Sequence, residues 1–118
     1  MITAAHVILY SRDADADRAF MRDVLGLDSV DAGGGWLIFA LPPAEVAVHP
    51  ADNAVHEMYL MCDDIDSTIE ELEKRGANVT RPVREEVWGR LVQIKLPGGG
   101  ELGLYQPKHA IAAHLTKA

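Results

Sequence analysis

An α+β fold built from two successive βαβββ modules is what this sequence predicts, and three observations carry that prediction. The first is the stretch His6 to Leu27, HVILYSRDADADRAFMRDVLGL, which reads as a strand, an acidic corner, a helix and a closing glycine. The second is the stretch Glu57 to Ala77, EMYLMCDDIDSTIEELEKRGA, which repeats that order. Asp13 and Asp15 find counterparts in Asp64 and Asp66, and Gly26 in Gly76. The third is that strand-like runs separated by Gly and Pro follow each unit. Module one is expected over residues 3–50 and module two over 55–107, with a tail at 108–118. Both belong to a single domain, since 118 residues suffice for one core and not for two.

In module one, His6 to Ser11 is rich in strand formers, with Val7 and Leu9 on one face and Ile8 and Tyr10 on the other. A strand covered on both sides is expected. Asp13 or Asp15 can accept from the free N–H groups that begin a helix. Phe20, Met21, Val24 and Leu25 share one stripe at helical spacing, and Gly26 closes the helix. Leu27 to Ala32, Trp36 to Leu41 and Glu45 to His49 read as strands, with Gly33-Gly34-Gly35 as a hairpin turn. The glycine triplet lacks the Lys-Ser/Thr of a phosphate-binding loop and lies between strands, which makes the turn the better reading.

Pro50 to Ala54 is a polar connection between the halves. In module two, Met58, Leu60 and Cys62 alternate with Glu57, Tyr59 and Met61 along a first strand. Asp64, Asp66 or Ser67 caps a helix that buries Ile65, Ile69 and Leu72 and turns Glu70, Glu71, Glu73, Lys74 and Arg75 to water. Ala77 to Thr80, Arg90 to Leu96 and Glu101 to Gln106 are expected strands, and Pro82 to Gly89 an irregular loop carrying Trp88. Pro97-Gly98-Gly99-Gly100 turns the chain into the last strand, and the tail is a short helix or a frayed end.

Bulk properties exclude several function classes. The formal net charge is −7, from 18 acidic and 11 basic residues, with no Lys/Arg cluster to attract a phosphate backbone. Nucleic acid and anionic membranes are therefore not expected partners. The opening MITAAHV carries neither a basic leader nor a long apolar run, and no apolar run approaches the ~20 residues that span a bilayer. The single cysteine, Cys62, forms no internal disulfide and no Cys-based zinc cage, and it reads as core. A cytoplasmic location fits these features.

The residues HVILYSRDADADRAFMRDVLGL and PGGGELGLYQP, with the doubled βαβββ order, resemble the vicinal oxygen chelate superfamily. That group includes glyoxalase I, extradiol dioxygenases, methylmalonyl-CoA epimerase, fosfomycin-resistance enzymes and bleomycin-resistance proteins. The resemblance covers roughly Thr3 to Pro107. It implies curved mixed sheets around a cleft, the glyoxalase-like fold, and in the family's enzymes a divalent metal held by one side chain from each of four strands. Carried over to this chain, the first-strand positions are His6 and Glu57, and the last-strand positions are Ala47 and Gly103. Neither Ala nor Gly offers a side-chain ligand. A shifted set of His6, His49, Glu57 and Glu101 is a chemically acceptable alternative for Zn, Ni, Mn or Fe. A one-residue slip of the strand would exchange Glu57 for His56.

The resemblance also places Tyr10, Tyr59 and Tyr105 on the cleft face, with Trp36 and Trp88 near its rim. These aromatics either line a ligand pocket or fill the curved sheet. Gln93, and Lys95 on the same face, could orient a polar ligand, whereas His109 and His114 fall in the tail and are assigned no role. Two functions follow. One is a metal-dependent enzyme of glyoxalase or dioxygenase type, with Glu57 as ligand or proton-transfer base. The other is a metal-free protein of bleomycin-resistance type that sequesters a drug or metabolite, often cationic, in an aromatic cleft lined by Glu45, Glu57 and Glu101. In both the partner is a small molecule; a third reading is an isolated domain with no small ligand, acting as a subunit or regulator. No nucleotide-binding motif points to an organic cofactor. A symmetric homodimer is expected as well.

Overall fold

The computed structural model describes residues 6–45, 47–48, 50–53 and 55–114, with His114 described by its backbone alone. The observed fold is mixed α+β, with two α-helices and open sheets among the described residues. Helix α1 (Ala14–Asp23) begins where Asp13 accepts a hydrogen bond from the Ala16 N–H at 3.1 Å. Helix α2 (Ile65–Lys74) begins in the same way, with Asp64 accepting from the Ser67 N–H at 3.3 Å. The acidic corner of each repeat is thus an N-cap, and of the candidates weighed from sequence the first aspartate of each pair serves. Gly26 and Gly76 take φ of +69° and +97° where the helices end, a region that side chains resist.

Strands β1 (Ser29–Asp31) and β2 (Leu37–Phe39) form an antiparallel hairpin around the glycine triplet, all three members of which have positive φ. The rest are β3 (Tyr59–Met61), β4 (Asn78–Val79), β5 (Arg84–Glu86), β6 (Gly89–Lys95) and β7 (Glu101–Pro107). They make a five-stranded sheet of order β3-β7-β6-β4, with β5 also paired to β6. β3 runs parallel to β7, the crossover being supplied by α2 and the strands after it, and the other pairs are antiparallel.

Alternation along β6 and β7 divides this sheet into two faces. Val92, Ile94, Leu102 and Leu104 join Val79 and Leu96 in a core with Phe20 of α1 and Ile65, Ile69 and Leu72 of α2. Ile65 and Ile94 are fully buried. Each contributes about 1.5–3 kcal/mol by leaving water. On the opposite face Gln93 faces Gly103, which in turn faces Tyr59 across β7. Met21, Val24 and Leu25 pack against the core more loosely than Phe20 does.

Several expected elements differ. Residues 6–11, expected as a strand, form none: Val7, Ile8, Leu9 and Tyr10 are 50%, 60%, 39% and 91% exposed. The reason is the missing partner. A strand exists only through a ladder, and none forms here among the described residues. The run Glu45 to His49, also expected as a strand, is none at Glu45, Ala47 or Val48, while Val46 and His49 lie outside the described residues. The segment is instead tied by the Arg12 N–H, which donates to the Gly98 carbonyl at 3.2 Å. Conversely, the loop expected at Pro82 to Gly89 contains β5. In the tail, for which a short helix or a frayed end is expected, Ala112–His114 form a 3₁₀ turn.

Candidate functional site

The open face of the five-stranded sheet bears a cavity of about 410 Å³, and its lining includes His56, Glu57, Tyr59, Gln93, Glu101 and Gly103. Its centre is one rung of the sheet, Tyr59–Gly103–Gln93, read across β3, β7 and β6. Gly103 is there because of Tyr59: a Cβ on Gly103 would lie 2.1 Å from Tyr59 Cδ1. The phenol ring therefore lies flat across the glycine. Any side chain at this position would have to displace an aromatic wall.

The Tyr59 hydroxyl donates to Glu57 Oε2 at 3.1 Å. Partial burial raises the Tyr59 pKa, and the neighbouring Glu57 carboxylate raises it further by accepting from the neutral phenol. Gln93 and Arg84 act on the same hydroxyl in the opposite sense. The phenol is thus held as a donor, and Glu57 lines the cavity with this hydroxyl on one of its two oxygens.

Beyond Tyr59 the aromatic surface continues. Tyr105 stands edge-on to Tyr59 with ring centroids 5.5 Å apart, and Trp88 stands edge-on to Tyr105 at 5.7 Å. Gly89 permits that approach, since a Cβ there would lie 2.7 Å from the Gln106 carbonyl oxygen and 3.2 Å from Tyr105. Burial first, and then the negative charge of Glu45, push the Tyr105 phenol above its usual range. The next residue, Gln106, faces the helices, where its Oε1 accepts from the Ile65 N–H at 2.9 Å and steadies the start of α2.

The remaining residues proposed from sequence scatter. Tyr10 points to solvent, and its neighbour Leu9 lines the cavity instead, the opposite parity from the one expected. Trp36 sits on the β1–β2 hairpin, 61% exposed, with the Arg18 guanidinium 4.8 Å over its ring and no part in the cavity lining. His6 is exposed and likewise outside that lining, and His49 lies outside the described residues. Glu57 and Glu101 do share the cavity, with His56 beside them. Even so, among the described residues no three His, Cys, Asp or Glu side chains are grouped to hold a metal ion. Cys62 donates to the Tyr105 carbonyl at 3.6 Å on the helix side, and burial raises its thiol pKa, which leaves it inert.

Comparison with known proteins places this geometry. The family model described as the Glyoxalase/Bleomycin resistance protein/Dioxygenase superfamily matches residues 3–104. An antibiotic-binding protein from a Streptomyces species is 26% identical, with a TM-score of 0.62 over 92% of this chain and 100% of that one. A lactoylglutathione lyase from Agrobacterium tumefaciens is 23% identical, with a TM-score of 0.62 over 88% of this chain and 92% of its own. A superfamily member from Sphaerobacter thermophilus is 24% identical, with a TM-score of 0.60 over 89% and 98%. No curated protein sequence matches the chain.

Proposed function

Because the chain belongs to the Glyoxalase/Bleomycin resistance protein/Dioxygenase superfamily, we propose that it is a metal-free binding protein that sequesters a flat organic molecule in the cleft. We read it as one glyoxalase-like domain with modules at 3–50 and 55–107 and a tail at 108–118. The observation that carries the reading is the seating of Tyr59 on Gly103. The last-strand position where family enzymes present a metal ligand carries an aromatic wall here, and a Cβ would strike it at 2.1 Å. The described donors also fit a metal poorly: His56, Glu57 and Glu101 share the cavity, yet among the described residues no three such side chains are grouped to hold an ion. An antibiotic-binding protein with 26% identity over its full length supports the same direction.

The acidic lining and the charge of −7 favour a cationic or neutral aromatic ligand over an anionic one. The test is a thermal-shift screen of planar aromatic cations and their anionic counterparts, with and without chelator. A cation that stabilises the protein equally in both conditions supports the reading. Stabilisation that requires added Zn, Ni, Mn or Fe overturns it.

A second reading is catalytic, and the Glu57–Tyr59 pair favours it. A carboxylate bonded to a neutral phenol inside a cavity is positioned to take a proton from a bound ligand. Turnover of a ligand found in the screen, abolished by Glu57→Gln with binding retained, would establish that role. We also propose a cytoplasmic homodimer. Residues 6–11 expose apolar side chains on both faces, and β3 is an edge strand of the five-stranded sheet. A second copy supplies the missing ladder. Light scattering that reports a monomer at micromolar concentration would refute this assembly.

A further inference from the structure

The chain after Pro107 does not leave the molecule at the end of β7; it turns back along the aromatic wall. The Lys108 N–H donates to the Trp88 carbonyl at 2.8 Å, and Lys108 Nζ reaches Glu85 Oε2 at 3.2 Å. One residue on, the His109 imidazole lies 6.0 Å from the Tyr105 ring, tilted by 34°. Its Nδ1 is 2.7 Å from the Ala110 carbonyl oxygen, which can only accept, so Nδ1 carries the proton. In the neutral imidazole Nε2 then accepts from the Tyr105 hydroxyl at 3.3 Å. The 3₁₀ turn closes the arrangement from the other side: the Ala113 N–H donates to Glu45 Oε1 at 3.2 Å. Glu45 comes from the first half of the chain, and its charge is felt at Tyr105.

Three consequences follow from these contacts. Tyr105 is fixed in orientation by a bond at its hydroxyl. The aromatic run of Tyr59, Tyr105 and Trp88 gains a fourth ring. A carboxylate from the distant half is brought beside that run by the tail itself. Trp88 remains 40% exposed and His109 is exposed, so the rings are open to an occupant.

Resting on the binding function proposed above, we propose that residues 108–114 form the wall of an aromatic subsite that adjoins the cleft beyond Tyr59, outside the lining of the cavity itself, with His109 as a ligand-contacting residue. In this subsite His109, Tyr105 and Trp88 receive a planar ring system, and Glu45 selects for a positive charge on it. The ligand class is therefore an aromatic amine or related planar cation rather than a neutral ring of the same shape.

Calorimetric titration with proflavine, a planar cation, and with acridine, neutral at pH 7.5, tests this. The wild type is expected to bind proflavine more tightly than acridine. His109→Ala should weaken both about fivefold, the scale of one lost aromatic contact, and His109→Phe should restore most of that loss. Glu45→Gln should weaken proflavine about threefold and leave acridine unchanged, a difference that a purely structural role for the tail would not produce. Circular dichroism confirms that each variant is folded. Unchanged affinity in His109→Ala with wild-type binding intact overturns this inference alone. Failure of the wild type to bind either probe overturns the cleft reading, and the role of His109 with it.

Discussion

The two halves of this chain share a sequence grammar and not a structure. In the second half the strand, capped helix and following strands close into a five-stranded sheet with a buried core. In the first half the helix forms with the same kind of cap, but among the described residues its strands are those of one hairpin, and residues 6–11 are in no strand. Helices need only their own hydrogen bonds and a surface to lie on; strands need neighbours. α1 finds its surface on the second half through Phe20, whereas among the described residues the segment 6–11 finds no ladder and β1 pairs with β2 alone. The site follows that asymmetry, since its formed wall lies on β3, β6 and β7.

Substitutions in the two halves should differ most in stability. Ile94→Ala empties a fully buried position and should cost about 2–5 kcal/mol in urea unfolding. Val30→Ala, at a residue 67% exposed on the hairpin, should stay within about 0.5 kcal/mol. Equal costs would mean that the hairpin is covered in solution, as a dimer would cover it. Next in size is Gly103→Ala, which drives a methyl into the Tyr59 ring and should cost about 1–3 kcal/mol. Adding Tyr59→Ala to that variant should cost less than it does in the wild type, because the clash is relieved.

Loss of the helix caps sharpens the contrast further. Asp64→Ala and Asp13→Ala each remove one side-chain acceptor and should each cost about 1 kcal/mol if both helices are equally docked. A clearly smaller cost for Asp13→Ala would show that α1 frays before the molecule unfolds, and hydrogen exchange of the two helices would locate the fraying.

How much was legible in advance divides along the same line. Periodicity and end signals disclosed α1 and α2, their caps and the turn glycines, because these depend on neighbours in sequence. The parity of β6 and β7 was legible too: Gln93 and Tyr105 fall on the face opposite the core residues Val92, Ile94, Leu102 and Leu104. What periodicity could not carry was partnership. His6 to Ser11 has the composition of a strand and no strand to pair with, and Tyr10 gives way to Leu9 at the cavity because nothing fixes the register of an unpaired segment. Trp36 was expected near the rim, but its ring answers to Arg18 one turn into α1, a contact between distant parts of the first half. His109 and Glu45 meet through the Ala113 N–H and Tyr105, across a sequence separation of 68 residues between Glu45 and Ala113. No local pattern announces such a meeting. The only hint was the tyrosine four residues before the histidine.

The smallest effect expected is also specific to the formed half. Tyr59 and Tyr105 both have phenol pKa values raised in the fold, by burial first and then by Glu57 and Glu45 respectively. In the unfolded chain they ionise near the ordinary value of about 10. The folded state therefore holds these protons more tightly than the unfolded state does. The stability linked to them is complete below about pH 10 and is lost as pH rises through the higher folded values. Absorbance at 295 nm (about where phenolate absorbs) should show both phenols titrating late in the native protein. The difference in unfolding free energy between wild type and Tyr59→Phe should shrink over that same alkaline interval. Glu57→Gln should lower the Tyr59 titration toward the ordinary value while leaving Tyr105 in place, because only Tyr59 donates to that carboxylate. A Tyr59 titration unmoved by Glu57→Gln would mean that burial alone holds the proton, and the Glu57–Tyr59 pair would lose its standing as the polar centre of the cleft.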